Sequence, residues 1–494
     1  MNSTQIAEAQ ERLGATINSN ASMDRTNVGL GSLSANLAPS LKLFSDIVLK
    51  PDFVPGEVER LRGQQLARIQ TELTNPQGIA FRMLPPLLFG DKHPYGISFT
   101  GTGDVATVSK VTRDEIVGFH RKWFRPEKAT FYVVSDKPLA DIKRSLEGTF
   151  GGWTVTGPAG VKNMSAAPVA PKSRIVLINR PDSPQSLILG GQVLAVKGTA
   201  DLETAITANE ALGAGFLSRI NMDLRETKGW SYGVRGSINR VEGDVPYIIS
   251  APVQADKTGE SIAALIGNYK SFLTEKGITT EERDRIIGGN IRELPGSFET
   301  SGDVLGAMQR NALYKRPDDF YATVASQYRG MTQAALDSSI RALVNPDQFL
   351  WVVVGDAAKV RPQLEALGLP IEMVGEAAKS ANISESKPAK PRSKDMAAVD
   401  GDWDVTIKSP MGDQKAVLTV NSDGSAFTGQ MSGGLGTMPI TGGSVDGNTI
   451  SWKMDMTVPM PMSLDATATV DGDAIAGEVK AGAFGSMGLS GTRK

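Results

Sequence analysis

Residues 332–356 read TQAALDSSIRALVNPDQFLWVVVGD, and residues 112–136 read TRDEIVGFHRKWFRPEKATFYVVSD. Three landmarks occur in the same order in both stretches: an opening Thr, a Pro in the middle and a closing Asp. Each landmark of the later stretch follows its counterpart by 220 residues. Such a gapless register indicates two copies of one structural unit in the chain.

Each copy predicts a helix followed by a buried strand. Thr112 and Thr332 are suited to cap the first turn of a helix, and the Val-rich run after each Pro is short and β-branched. Further upstream, residues 54–60 and 278–283 each predict the start of a long amphipathic helix. Helices and strands in this arrangement predict an α+β fold of repeated α/β sandwich domains, with helices packed on one face of each sheet.

The domain boundaries follow from the repeat and from changes in composition. We expect the two sandwich domains at residues 1–165 and 166–375. Residues 376–400 are polar and punctuated by proline, which predicts a flexible linker. Residues 401–494 form a different kind of sequence and are expected to be a separate domain.

This last segment predicts a small antiparallel β-barrel. Short alternating stretches, such as 403–407 and 452–456, are separated by Asp-Gly dipeptides such as Asp446-Gly447, which are typical of hairpin turns. About eight strands fit, enough to close an up-and-down barrel. Methionines such as Met454 alternate like barrel-interior residues, so packing explains them better than a metal or an apolar ligand does.

The composition limits the classes of function. The chain of 494 residues is 40% hydrophobic and 21% charged, with a formal net charge of −2, which is ordinary for packed globular domains. This balance does not supply the clustered cations that nucleic acids require, so no nucleic-acid partner is expected. The lack of cysteine excludes disulfides and thiolate metal sites. No apolar run has the length of a membrane span.

A hydrolytic zinc site usually takes two His from one helix and a third protein ligand. The chain has two histidines, His93 and His120, and neither has a histidine partner at helical spacing. We therefore expect no metal to be bound by this chain, and we interpret both histidines as structural. Gly213 and Gly215 lack the other residues of a phosphate loop and indicate close helix-to-helix packing.

Residues 224–232 read Leu-Arg-Glu-Thr-Lys-Gly-Trp-Ser-Tyr and follow Leu212-Gly213 and Ser218-Arg219. As a set, these residues resemble the second domain pair of the pitrilysin/insulinase family of zinc metallopeptidases, which includes the mitochondrial processing peptidase. The resemblance extends from about Ile6 to Val374. It implies that the chain is the half of such an enzyme that does not bind zinc, followed by an appended β-barrel.

In that family an Arg and a Tyr with this spacing reach toward the zinc held by the other half, and Arg225 and Tyr232 match the spacing. The resemblance therefore implies a supporting catalytic and substrate-binding role for both. A guanidinium can hold substrate carbonyls or a carboxylate, and a phenol can donate to the oxyanion of amide hydrolysis. The structural alternatives are an ion pair of Arg225 with Glu226 or Asp223, and a half-buried strand position for Tyr232.

The family's catalytic half carries His-x-x-Glu-His early in its first domain. We expect the first domain here to be shortened, lacking the leading strand and the zinc helix. The third zinc ligand of the family precedes an Asp/Asn-Pro step. At Asn75-Pro76 the matching residue is Arg68, a cation, and Glu72 is the nearest carboxylate. Zinc would therefore come with a catalytic partner half, either a separate subunit or the missing N-terminal part of a longer chain.

The resulting hypothesis is a non-catalytic, substrate-binding half of a bipartite zinc metallopeptidase that acts on peptides or unfolded proteins. We expect the chain to be inactive alone. Two alternatives remain open: a non-enzymatic scaffold or peptide-binding protein of the same fold, and apolar-ligand binding by the barrel. A periplasmic location is favoured if the chain ends a longer secreted precursor, and a cytoplasmic one if Met1 is the true start.

Overall fold

The structure is a computed structural model. It describes residues 1–170, 172–376, 399–409, 412–423, 426–433, 436–456, 462–480 and 486–494. The chain divides into two compact units, Met1–Ser380 and Ala381–Lys494. The predicted linker at residues 376–400 lies outside the described residues except at its two ends.

The first module of the N-terminal unit, residues 1–165, is mainly helical. Its helices and strands are α1 (Ser3–Leu13), β1 (Ala15–Ala21), β2 (Thr26–Ser32), α2 (Leu37–Leu49), α3 (Pro55–Thr74), α4 (Pro76–Phe89), α5 (Val105–Val108), α6 (Arg113–Trp123) and α7 (Leu139–Phe150). Strands β1 and β2 form an antiparallel pair. Phe44 of α2 and Phe150 of α7 lie in the small core beside this pair.

The second module, residues 166–375, contains a larger sheet and more helices. Its elements are β3 (Arg174–Asn179), β4 (Gln185–Lys197), α8 (Glu203–Asn209), α9 (Arg219–Asn221), β5 (Arg235–Ile238), β6 (Asp244–Gln254), α10 (Thr258–Thr274), α11 (Thr280–Glu293), α12 (Ser301–Leu313), α13 (Phe320–Gly330), α14 (Gln333–Arg341), β7 (Leu350–Gly355), α15 (Ala357–Glu365) and β8 (Ile371–Glu376). Two π-helical turns, Glu210–Ala214 and Met222–Thr227, follow α8 and α9.

The six strands of the second module pair in the order β5-β6-β4-β7-β3-β8. Strand β7, the Val-rich run of the later repeat, runs parallel to β3 and antiparallel to β4. All six of its residues are buried. Burial on both faces explains why its sequence is continuously apolar rather than alternating.

The two faces of this sheet are covered by different modules. Trp351 and Val353 of β7 point into a core shared with the helices of the second module. The alternating residues Val352 and Val354 instead meet Leu84 on α4 of the first module. The helices of the second module therefore pack on one face of its sheet, as predicted. Helix α4 of the first module packs on the other face.

Two glycines in β4 make this double packing possible. A Cβ on Gly190 would lie 2.7 Å from the ring of Trp351, and one on Gly191 would lie 3.0 Å from Leu88 of α4. The first distance is too short for a side chain, and the second would require Leu88 to shift. Glycine at these two positions lets the tryptophan and the helix approach opposite faces of one strand.

The internal repeat is confirmed at the level of helices. Thr112 caps α6 and Thr332 caps α14, each accepting a hydrogen bond from a backbone N–H of the first turn. The predicted long helices are also present, as α3 and α11. The repeat extends further than the sequence indicated, because β1 begins at Ala15 and β5 begins at Arg235, again 220 residues later.

The predicted buried strand of the first copy is wrong. Residues 131–136 form no strand, and Phe131 and Val133 are 43% and 41% exposed. In the second copy, β3 and β4 flank the equivalent run on both sides. The described strands of the first module, β1 and β2, pair only with each other. A β-branched run remains outside a sheet when no neighbouring strand offers hydrogen bonds.

The two modules are joined by a polar cluster around His93, which is buried. Its Nδ1 accepts the N–H of Tyr95 at 3.0 Å and its Nε2 lies 3.2 Å from an Asp244 oxygen. The Tyr95 hydroxyl donates to Asp24 at 2.5 Å and accepts the N–H of Gly243 at 2.9 Å. His93 thus has the predicted structural role, and so does His120, whose Nε2 lies 2.8 Å from a helix carbonyl.

The C-terminal unit is a closed barrel of eight antiparallel strands, which confirms the predicted barrel. The strands are β9 (Gly401–Ser409), β10 (Gly412–Asp423), β11 (Ala426–Gly433), β12 (Gly436–Asp446), β13 (Thr449–Met456), β14 (Met462–Asp471), β15 (Ala474–Lys480) and β16 (Ser486–Arg493). Gly447 adopts a positive φ in the turn between β12 and β13, as such hairpins require. Trp403, Trp452 and Met454 are buried in the core, so packing accounts for Met454.

No helix in the described part of the chain combines the length and the apolar character needed to cross a bilayer.

Candidate functional site

The predicted Arg/Tyr segment begins on a widened helical turn. Residues Met222–Thr227 form a π-helix, and Gly229, two residues beyond its end, has a φ of +66°. The N–H of Trp230 donates to the carbonyl of Leu224 at 2.9 Å. Leu224 itself is fully buried. Because π-helical turns are rare and often occur at functional sites, this local geometry is consistent with a role for the segment.

The loop that follows is fixed to the sheet by hydrogen bonds at several points. The N–H of Gln254, at the end of β6, donates to the carbonyl of Trp230 at 3.0 Å. The Ser231 hydroxyl donates to the carbonyl of Pro252 at 2.5 Å. Asn221 accepts the N–H of Val234 at 2.9 Å. The backbone on both sides of Tyr232 is therefore held in place while its side chain points outward.

Arg225 and Tyr232 lie side by side. The guanidinium carbon of Arg225 is 5.1 Å from the centre of the Tyr232 ring and 4.8 Å from that of Phe216. Tyr232 is 88% exposed and Phe216 is 64% exposed. A cation stacked on aromatic rings is attracted by the negative potential of each ring face. The two rings therefore position the guanidinium although all three groups are accessible.

The structural alternatives for these residues have different outcomes. The ion pair of Arg225 with Glu226 is present, with 3.2 Å between Nε and the carboxylate oxygen. Asp223 instead contacts Lys228. Tyr232 lies in a loop and is exposed, so a half-buried strand position is wrong. The ion pair leaves the other guanidinium nitrogens of Arg225 available for a ligand.

A cavity of about 940 Å³ opens beside this pair and is lined by both modules. Arg225, Tyr232 and Phe216 line it from the second module. The first module contributes Phe81 and residues 75–77 at the start of α4. The volume falls in the range of ligand-binding clefts in proteins, which makes it the leading candidate site.

Sequence reasoning missed several residues of this cavity. Phe216 directly follows the glycine pair that was interpreted only as packing. Two large apolar residues in a row, Phe216 and Leu217, close to the Arg/Tyr segment could have indicated a ligand contact. Arg180 and Arg235 also line the cavity. They come from the ends of different strands, β3 and β5, and no local pattern in the sequence relates them.

The predicted close packing at Gly213 involves a strand rather than another helix. A Cβ at this position would lie 2.9 Å from the carbonyl of Gly236 in β5 and 3.0 Å from the Tyr247 hydroxyl. Burial raises the pKa of Tyr247, so its hydroxyl remains protonated and donates to Asn209 at 2.6 Å. The glycine therefore lets the helical turn before the site rest directly on the edge of the sheet.

The position equivalent to the family's third zinc ligand does not fit a metal. Glu72 accepts hydrogen bonds from Arg82, Thr100 and Thr102 at 2.7, 3.0 and 2.7 Å. Arg68 is an exposed cation on the same helix. No group of three or more His, Asp or Glu suited to a metal occurs within the described residues. The carboxylate is thus engaged in holding α3 against α4 and its following loop.

The arrangement can bind and orient an extended polar ligand. The cavity offers guanidinium donors, backbone groups at the edge of the sheet and exposed aromatic surface. Tyr232 adds a hydroxyl that can donate a hydrogen bond into the opening. None of the residues that line the cavity, all of which are described, is a His, Asp, Glu or Lys that could ligate a metal or act as a base beside a nucleophile.

Comparisons with known proteins agree with this site and fold. Residues 110–289 match the family model described as the peptidase M16 inactive domain, and residues 1–102 match the model of the insulinase family, peptidase family M16. The chain is similar to an uncharacterized zinc protease of Mycobacterium leprae, with 24% identity over 63% of this chain and 67% of that relative. A second relative, an uncharacterized zinc protease of Mycobacterium bovis, is 26% identical over 47% of this chain and 53% of its own length.

A solved structure, the peptidase M16 inactive domain from Pseudomonas fluorescens, superimposes with a TM-score of 0.66 at 26% identity. It covers 72% of this chain and 84% of its own. The resemblance predicted from the Arg/Tyr segment and its surroundings is thereby confirmed. The chain belongs to the M16 family of insulinase-type peptidases and carries that family's inactive domain.

Proposed function

We propose that this chain is the substrate-binding, non-catalytic half of a bipartite zinc peptidase that cleaves peptides or small unfolded proteins. The observation that carries the proposal is the stack of Arg225 between Phe216 and Tyr232 at the rim of a cavity on an M16 inactive domain. Zinc, the general base and the attacking water would belong to a separate catalytic half. Two relatives are named zinc proteases, which supports this assignment.

Arg225 would hold the substrate backbone next to the bond that is cut. Its guanidinium has donors left over from the pair with Glu226, and the aromatic rings restrict its rotation. A restricted cation loses less conformational entropy when it binds, so more of the interaction energy is realised. The expected consequence is an effect on substrate affinity.

Tyr232 would stabilise the charge that develops on the carbonyl oxygen during hydrolysis. Its neighbour Ser231 anchors the loop to the sheet, and the exposed side chain of Tyr232 lines the cavity. A donor placed in advance at a developing oxyanion can lower the barrier, because no reorganisation is needed at the moment of reaction. The expected consequence is an effect on kcat.

The test is reconstitution of the purified chain with a candidate catalytic half that carries His-x-x-Glu-His. Tyr232→Phe removes one hydroxyl and should lower kcat by about 100-fold, as loss of an oxyanion donor does. Tyr132→Phe, a matched change outside the cavity, should leave kcat unaltered. Arg225→Lys keeps the charge but loses the flat stacking surface, and should mainly raise KM.

An unchanged kcat for Tyr232→Phe would remove the transition-state role. Peptide binding without hydrolysis in any reconstituted pair would favour the non-enzymatic peptide-binding alternative. The barrel alternative has less support, because the described interior of the barrel is filled by large side chains such as Trp403, Trp452 and Phe427.

A further inference from the structure

The charge of the cavity differs from that of the chain as a whole. Three arginines, Arg180, Arg225 and Arg235, are among the residues that line it, and none of the lining residues, all of which are described, is Asp or Glu. The complete chain, by contrast, has a formal net charge of −2. The cavity is therefore a local concentration of positive charge on a nearly neutral protein.

Two of these cations have no carboxylate partner among the described residues. Arg180 donates to the Ser183 hydroxyl at 3.1 Å, a neutral acceptor within the cavity wall. Arg235 is exposed, and in the described part of the chain neither guanidinium forms an ion pair. Some other arginines of this module are neutralised, since Arg219 pairs with Glu282 and Arg240 pairs with Glu203.

The two cations project from a stable part of the fold. Arg180 directly follows β3, and its backbone N–H donates to the carbonyl of Gly355 at 2.8 Å. Arg235 is the first residue of β5 and is paired in register with Ser250 of β6. Strand ends place side chains more reproducibly than loops do, which favours a binding site over an accidental pair of surface charges.

We infer that this cavity selects acidic peptide segments, with Arg180 and Arg235 binding Asp or Glu side chains of the substrate. The inference rests on the proposed function and specifies its substrate class. Guanidinium forks match carboxylates in geometry as well as charge. A partly enclosed cavity strengthens such pairs relative to open surface. A basic segment would meet like charges and be rejected.

The experiment is calorimetric titration of the full chain with two unlabelled peptides of equal length. One contains alternating Glu and Ala, and the other replaces each Glu by Gln. The acidic peptide should bind at least about tenfold more tightly at low ionic strength, and added salt should reduce the difference. The double variant Arg180→Gln/Arg235→Gln should bring the preference below about twofold. Arg144→Gln, a control on an exposed helix, should preserve it.

The possible failures are distinguishable. Equal binding of both peptides, weakened for both by Arg225→Ala, would overturn the charge selection and leave the proposed function intact. Binding of neither peptide would overturn both proposals. A preference that persists in the double variant would assign the selection to other residues and also overturn the inference. Thermal unfolding of each variant verifies that the fold is retained.

Discussion

The two copies of the repeat begin alike and end differently. In both, a threonine caps a helix that leads through a proline into an apolar run. In the second copy this run is the buried centre of a six-stranded sheet, whereas in the first it is exposed and unpaired. Helix caps are satisfied within a few residues, but a strand requires neighbours distant in sequence. The same local signal therefore produced a strand only where partners were available.

The site reflects the same difference. Its functional groups lie in the module with the complete sheet, around β5 and β6 and at the end of β3. The first module contributes α4, which covers the sheet and supplies residues 75–77 to the cavity wall. The second module thus supplies most residues of the site, and the first module mainly packs on its sheet.

The largest expected effect comes from the aligned aromatic residues of the two runs. Trp351 is fully buried, whereas its counterpart Phe131 is 43% exposed. Trp351→Ala should destabilise the N-terminal unit by about 3–5 kcal/mol because it leaves a large cavity. Phe131→Ala should cost about 1 kcal/mol or less. Urea unfolding of both variants measures the difference, and equal losses would contradict the contrast between the copies.

A smaller loss is expected at the junction of the modules. His93→Ala removes the acceptor of the Tyr95 N–H and a partner of Asp244. Leaving buried polar groups unpaired should cost about 2–3 kcal/mol. His120→Ala, which loses one contact with the Val48 carbonyl, should cost about 1 kcal/mol. If denaturant titration ranked the two histidines the other way, the junction would not couple the modules.

The two copies should lose similar amounts of stability when the threonine that caps α6 or α14 is replaced. Thr112→Ala and Thr332→Ala each remove a hydrogen bond to a first-turn N–H, and each should cost about 1 kcal/mol. Thr112 should cost slightly more because its hydroxyl also donates a hydrogen bond to the Glu115 carboxylate at 2.9 Å. Matched Ser substitutions retain the hydroxyl and serve as controls. A negligible effect of Thr112→Ala would show that α6 is held by packing alone.

The smallest expected effect depends on pH. Burial raises the pKa of Glu210 in the second module, and Asn290 donates to its carboxylate at 2.8 Å. A raised pKa in the folded state means that stability is lost as the pH rises through that value. Glu210→Gln keeps the acceptor and cannot ionise, so it should be more stable than the parent at neutral pH. Thermal unfolding should show this gain at neutral pH and little gain near about pH 4. The reverse order would contradict the burial of a charge.

Much of the architecture could be predicted because its signals are local or periodic. The two threonine caps, the two long helices and the alternating strands of the barrel each depend on residues close in sequence. The Arg225–Tyr232 pair could be predicted because the resemblance to the family implied it. In the structure the two side chains are in contact across a helical turn and its following loop.

The rest of the site could not be predicted, since it joins residues far apart in the chain. Phe216 meets Arg225 across α9 and the start of a π-helical turn. Arg180 and Arg235 line one cavity because β3 and β5 belong to one sheet, although β6, β4 and β7 lie between them. No pairwise spacing in the sequence encodes these contacts.

The sequence by itself determined the repeat, the barrel and the family resemblance, since each is a pattern of residue types at fixed intervals. Only the tertiary structure decided which apolar run became a strand, which side chains share the cavity and how its charge is distributed. Hydrogen-bonded neighbours, burial and the convergence of strand ends depend on contacts between distant residues. The Arg/Tyr pair could be predicted from the family resemblance of the sequence. The cationic cavity around it is formed only when the chain folds.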